Sequence, residues 1–214
     1  MRILAFVIAL VFSLAAPASA EERIVNFISD VTVNADASLD VRETITVNAE
    51  GNDIRRGILR DFPTTYTDRR GNRTRVGFEV LGVTRDGRSE PYALESIGNG
   101  TRIKIGDADV FLSFGQHTYE ITYRTTRQLG FFPEFDELYW NVTGNGWTFA
   151  IDQARVIVRL PAGARIAQHT EYTGYQGVQG KDARVLNTGN GRYEAETTRG
   201  LACSAIPASR PRRR

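Results

Sequence analysis

The chain has 214 residues, of which 41% are hydrophobic and 24% charged, enough for one domain with a core of its own. Its single cysteine, Cys203, excludes an internal disulfide, so the core has to hold the fold. The net charge of +2 sits at the ends: setting aside Arg2, Arg199, Arg210, Arg212, Arg213 and Arg214 leaves 21 of the 27 basic residues against 25 acidic ones, a body of net −4 that argues against a nucleic-acid partner.

Residues 1–20 have the form of an export signal. Arg2 is followed by the uncharged apolar run Ile3–Ala16, and Ala18-Ser19-Ala20 offers the small-x-small pattern of a cleavage site. The run is 14 residues long, short of the roughly 20 that a membrane-spanning helix needs. No cysteine stands at the site to take a lipid. The expected location is therefore outside the cytoplasm, in the periplasm or on the outer face of the cytoplasmic membrane.

Beyond residue 21 the pattern has period two. Val25, Phe27, Val31 and Val33 share one face of a predicted strand, and the turn formers Asn34–Ser38 follow. Leu39, Val41, Ile45, Val47 and Ala49 then alternate with Asp40, Arg42, Thr44, Thr46 and Asn48; only Glu43 breaks the apolar side. Asn52–Arg60 reads as a short turn before Pro63. Further strands are predicted at Val76–Val80, at Tyr119–Tyr123 and at Val156–Leu160, where Pro161 ends the run. Gly-Asn-Gly at 98–100, 144–146 and 189–191 marks tight turns rather than phosphate loops, because no helix opens after them. The expected fold is all-β: an antiparallel β-sandwich of two packed sheets over residues 21–198, with a β-barrel as the alternative and 199–214 as a basic tail.

Two segments resemble the hallmarks of the DUF2207 family of bacterial predicted membrane proteins. They are Arg55-Arg56-Gly57-Ile58-Leu59-Arg60-Asp61-Phe62-Pro63 and Asp136-Glu137-Leu138-Tyr139-Trp140-Asn141-Val142-Thr143-Gly144-Asn145-Gly146-Trp147, with Glu43-Thr44-Ile45-Thr46-Val47 as a third match. The resemblance implies an N-terminal extracytoplasmic domain, normally followed by a membrane tether that this chain lacks. From Arg199 the sequence departs from the family pattern, and the expectation is a truncated or frameshifted ending.

Nothing in the sequence forms a catalytic, cofactor or metal set. His117 and His169 lie far apart, with His117 expected on a strand surface, and no nucleophile elbow occurs. The candidates that remain are for interaction. Arg56, Arg60 and Asp61 suggest an anion or partner site, or an Arg–Asp pair locking the segment down. Phe131 and Phe132 suggest an exposed patch, and Asp136 with Trp147 a sugar-stacking surface. The expected partner is an envelope protein or a glycan. Strand parity places Trp140 between the sheets and Asn141 outward.

Overall fold

The computed structural model describes residues 21–67, 73–174 and 179–201. The export signal at 1–20, Cys203 and most of the basic tail lie outside them. The strands are β1 Arg23–Val33, β2 Leu39–Ala49, β3 Gly57–Pro63, β4 Thr65–Thr67, β5 Arg73–Arg75, β6 Phe78–Arg85, β7 Arg88–Ser89, β8 Tyr92–Ile97, β9 Gly100–Gly106 and β10 Gly115–Thr125, followed by β11 Leu129–Phe131, β12 Asp136–Leu138, β13 Ala154–Arg159, β14 Ala183–Asn187 and β15 Arg192–Thr197. Among the described residues no helix is long and apolar enough to cross a membrane.

Eight strands form one large sheet in the order β14-β15-β13-β1-β2-β10-β6-β7, and β3, β9 and β8 form a second. The pairs β4–β5 and β11–β12 stand apart, and among the described residues no sheet closes into a barrel. Alternation explains the packing. Phe27, Val31 and Val33 of β1, Val41, Ile45 and Val47 of β2, and Tyr119, Ile121 and Tyr123 of β10 all lie on one face and are buried. Ile58 and Phe62 of β3 and Ile103 and Ile105 of β9 cover that face from the small sheet. The opposite face of the large sheet is wet and charge-paired: Arg124 makes a two-pronged contact with Asp40 at 2.7 and 3.0 Å, and Arg159 pairs with Asp30.

Two expectations need correction. First, the large sheet is mixed, because β13 runs parallel to β1 with Phe27 opposite Ala154 and Thr32 opposite Arg159. The connection from β12 crosses back along the buried face of β1. Trp140 bonds Ser29, Trp147 packs edge-on against Phe27 and Ile151 bridges Ile24, so β13 has to start where β1 starts. Second, Gly57–Pro63 is a strand and not a turn. Its inward residues are Ile58, Arg60 and Phe62, and the arginine in the middle hides the alternation.

Register also fixes the two ends of the molecule. Ile24, Ala49, Gly115 and Ile151 lie at one end, and Leu201 pairs with Ile151 there, so both described chain ends emerge together. Val33, Leu39 and Thr125 lie at the other. The Glu22 carboxylate clips the first end shut by accepting from the backbone N–H groups of Glu50, Asn52 and Asp53 at 3.0, 3.0 and 2.7 Å, and from that of Ile54. Burial pushes this carboxyl up, but the backbone donors of Asp53, Glu50, Ile54 and Asn52 outweigh it and hold the group below its ordinary 4.5. A depressed folded value gives stability that is complete above the unfolded value and is lost as pH falls through the folded one. Urea midpoints measured at decreasing pH should therefore drop below pH 4.5, and Glu22→Gln should flatten that part of the curve.

Candidate functional site

The two sequence hallmarks meet at one point between the sheets. Arg60 projects from β3 toward the large sheet, and Glu43 projects from β2 to meet it; they are 3% and 0% exposed. Arg60 donates from Nε to Glu43 Oε2 at 2.7 Å and from Nη2 to Oε1 at 2.6 Å, a parallel two-pronged bond. The Tyr123 hydroxyl of β10 donates to the same Oε1 at 2.8 Å. The remaining Arg60 nitrogen, Nη1, donates to the Asp61 carbonyl at 2.7 Å. Both charges are thus taken out of water with their hydrogen bonds made, the condition under which a buried pair is tolerated. Burial alone would lower the guanidinium, but Glu43 overrides it and Arg60 stays charged. Burial, and then Glu43, holds the Tyr123 phenol well above its ordinary range, so it remains a donor.

Aromatic rings and a glycine wall the pair in. The Arg60 guanidinium lies 5.8 Å from the Phe27 ring and 6.0 Å from that of Trp147. Gly144 has φ of +70°, and a Cβ there would stand 2.1 Å from Arg60 Nη1, so only glycine lets the second hallmark close over the first. Asn141 holds that approach through its Oδ1, which accepts from the Gly144 N–H at 3.1 Å. Thus 144–146 is a cap on the ion pair, whereas 98–100 and 189–191 lie at the turns of β8–β9 and β14–β15.

The other expectations fall as follows. Asp61 does form a two-pronged arginine pair, but with Arg102 of neighbouring β9, at 2.6 and 2.8 Å. Arg56 is exposed and lies 4.1 Å over the ring of Phe111. Trp147 is buried with its indole N–H on the Thr143 carbonyl at 2.8 Å, so neither ring face is offered to a sugar. Phe131, Phe132 and Asp136 are exposed on the β11–β12 hairpin, where Phe132 packs on Phe135. Trp140 is only half-buried, because its segment leaves regular strand geometry after Leu138, and its indole N–H donates to Ser29 Oγ at 3.0 Å. Parity accordingly does not govern Asn141, which is half-buried and bonded to its own turn. Glu43, Tyr123, Gly144 and Arg102 were not singled out as site residues; the signal for Glu43 was its inward parity on β2.

His117 is buried rather than on a surface. Its Nδ1 lies 2.8 Å from Asp86 Oδ2 and its Nε2 lies 2.8 Å from the Ser113 carbonyl oxygen, with Ser113 Oγ farther off at 3.5 Å. The order Ser113–His117–Asp86 mimics a hydrolytic triad, but the nitrogen that would take the serine proton faces the carbonyl more closely than the hydroxyl. The three residues tie the 107–114 loop to the β6–β7 turn. Among the described residues no group of three or more His, Cys, Asp and Glu could hold a metal ion.

Residues 23–200 match the family described as "Predicted membrane protein (DUF2207) N-terminal domain". The chain belongs to the DUF2207 family. A curated relative, "Uncharacterized protein YciQ" of Escherichia coli strain K12, is 32% identical over 173 residues. That match takes in 80% of this chain and 27% of the relative, so the chain spans about a quarter of the relative's length. Among solved structures, native leukotriene A4 hydrolase from Saccharomyces cerevisiae superposes with a TM-score of 0.51 at 12% identity, over 84% of this chain and 27% of that one. The yeast enzyme in complex with bestatin superposes with a TM-score of 0.50 at 12% identity, over 82% and 26%. At such identity the likeness is one of fold alone.

Two predictions follow from this geometry. Glu43→Leu or Arg60→Met alone leaves one buried charge without its partner and should cost about 3–5 kcal/mol in denaturant melts, whereas the double variant should recover most of that loss. Asn141→Ala removes the acceptor of the Gly144 N–H and should cost about 1 kcal/mol in the same melts, with an unchanged denaturant slope.

Proposed function

We propose that this chain is a non-catalytic, extracytoplasmic binding or structural domain of a membrane-associated protein in the bacterial envelope. The observation that carries the reading is the fate of the hallmark residues. Arg60 and Trp147 are buried and committed to Glu43 and to the Thr143 carbonyl, Gly144 lies against the Arg60 guanidinium, and Asp61, on the outward parity of β3, is paired with Arg102. Arg60, Trp147 and Gly144 thus build an inter-sheet clamp with Glu43, and Asp61 ties β3 to β9 within the small sheet. Export is supported by the sequence form of residues 1–20, and membrane association by the family's description. Large apolar side chains left exposed for a partner include Phe111 and Phe114 in the 107–114 loop and Phe131, Phe132 and Phe135 on the β11–β12 hairpin.

Soluble cell-wall glycan fragments, titrated against the fluorescence of Trp140 and Trp147, should give a flat response. Saturable quenching would replace this reading with a carbohydrate-binding one. Digestion of spheroplasts with an added protease should remove the domain from the outside; a domain protected until lysis would overturn the extracytoplasmic assignment.

A further inference from the structure

Both crossings between the large and the small sheet at the chain-end side of the molecule are loops, 50–56 from β2 to β3 and 107–114 from β9 to β10. The second exposes three large apolar side chains: Val110 at 50%, Phe111 at 64% and Phe114 at 74%. They are presented on a braced frame. Leu112 between them is buried, and its N–H donates to the Arg55 carbonyl at 2.8 Å. The Ser113 carbonyl faces His117 Nε2 at 2.8 Å, and Phe114 rests against Gly51 of the other loop. Arg56 lies over the Phe111 ring, with Arg55 exposed beside it. A loop that fixes its anchor inward and turns two phenylalanines to solvent beside arginines has the chemistry of a membrane-interface contact: rings for the acyl boundary, guanidinium groups for the phosphates.

The placement of the chain ends supplies the direction. Residues 21 and 201 both emerge at this same end, since Ile24, Ile151 and Leu201 are bridged in a row there. The family's domain is the N-terminal part of predicted membrane proteins, and its C-terminal end, residue 200 here, leaves from the side that carries Phe111 and Phe114. The second exposed aromatic group, Phe131, Phe132 and Phe135, belongs to the hairpin that follows Thr125, at the opposite end of the large sheet.

We propose that the 107–114 loop, with Arg55 and Arg56, is a lipid-contacting surface that seats this end of the domain on the bilayer through Phe111 and Phe114. The proposal rests on the extracytoplasmic, membrane-associated reading above and adds the orientation and the contacting residues. The two loops together carry Glu50, Asp53, Asp107 and Asp109 against Arg55 and Arg56, so the contact is made by the rings rather than by net charge and gains little from an anionic lipid.

The test uses the exported full chain with vesicles of phosphatidylcholine, alone or mixed equally with phosphatidylglycerol, some carrying brominated acyl chains. A Phe114→Trp variant should show a blue-shifted signal above that of the parent, quenched by brominated lipid, and a Phe131→Trp variant should not. The double variant Phe111→Ser, Phe114→Ser should lose about tenfold or more in vesicle partition while keeping the parent's circular dichroism and melt. Quenching at position 131 and not at 114 would overturn the orientation and leave the membrane reading standing. Quenching at neither position would overturn the lipid contact, while membrane fractionation of cells reports separately on membrane association. A wild-type chain that sediments as a dimer, with the double variant a monomer, would assign the patch to a second copy and overturn the proposal as well.

Discussion

A buried ion pair joins the two sheets of this domain, and the rest of the structure is arranged so that it can exist. Arg60 and Glu43 are nearly sealed from solvent, so their attraction acts through a poorly screening interior, and so would any error in pairing them. Each neighbour answers that demand. Tyr123 fills a remaining acceptor site on Glu43, the Asp61 carbonyl takes Nη1 of Arg60, and Phe27 and Trp147 exclude water. Gly144, with no side chain, lies against the guanidinium where a Cβ would stand 2.1 Å from Nη1. Hallmarks more than seventy residues apart in sequence thereby become one object.

The clamp also explains the path of the chain. The 139–151 segment has to cross the buried face of β1 in order to bring Gly144 onto Arg60, and it takes the place that a further strand would occupy in a symmetrical sandwich. It carries Trp140 to Ser29, Trp147 to Phe27 and Ile151 to Ile24, walking back along β1. That return makes β13 parallel to β1 and places Ile151 between Ile24 of the first strand and Leu201. The gathering of both chain ends on one side is thus a consequence of how the core is closed. If this end faces a membrane, as we propose, the core geometry and the orientation have one origin.

The likeness to leukotriene A4 hydrolase is consistent with that view of the architecture. A fold that is shared at 12% identity is held by alternation, twist and sheet order rather than by particular residues. The Arg60–Glu43 clamp and the exposed 107–114 loop are features of this chain's own side chains, and the proposals for it rest on them.

The sequence by itself determined the class of structure, because period-two alternation needs only neighbouring residues. The runs at 25–33, 39–49 and 119–123 became β1, β2 and β10 with the buried faces that their alternation marks, except at Val25, where a register shift between Ile24 and Asn26 buries Ile24 instead. It also marked the two hallmarks and one anomaly, Glu43 on an otherwise apolar face. What it could not do was join them. A charged residue on an inward face is a defect until its counter-charge is placed opposite, and that placement is a contact between sheets with no local signature. The same limit hid β3, whose alternation is legible only once Arg60 counts as an inward residue. It also hid the parallel pairing of β13 and the roles of Asn141 and Trp147, which depend on where an irregular segment is pressed against a face built elsewhere. Local chemistry chose the strands; only the tertiary structure decided which charges were to be buried together.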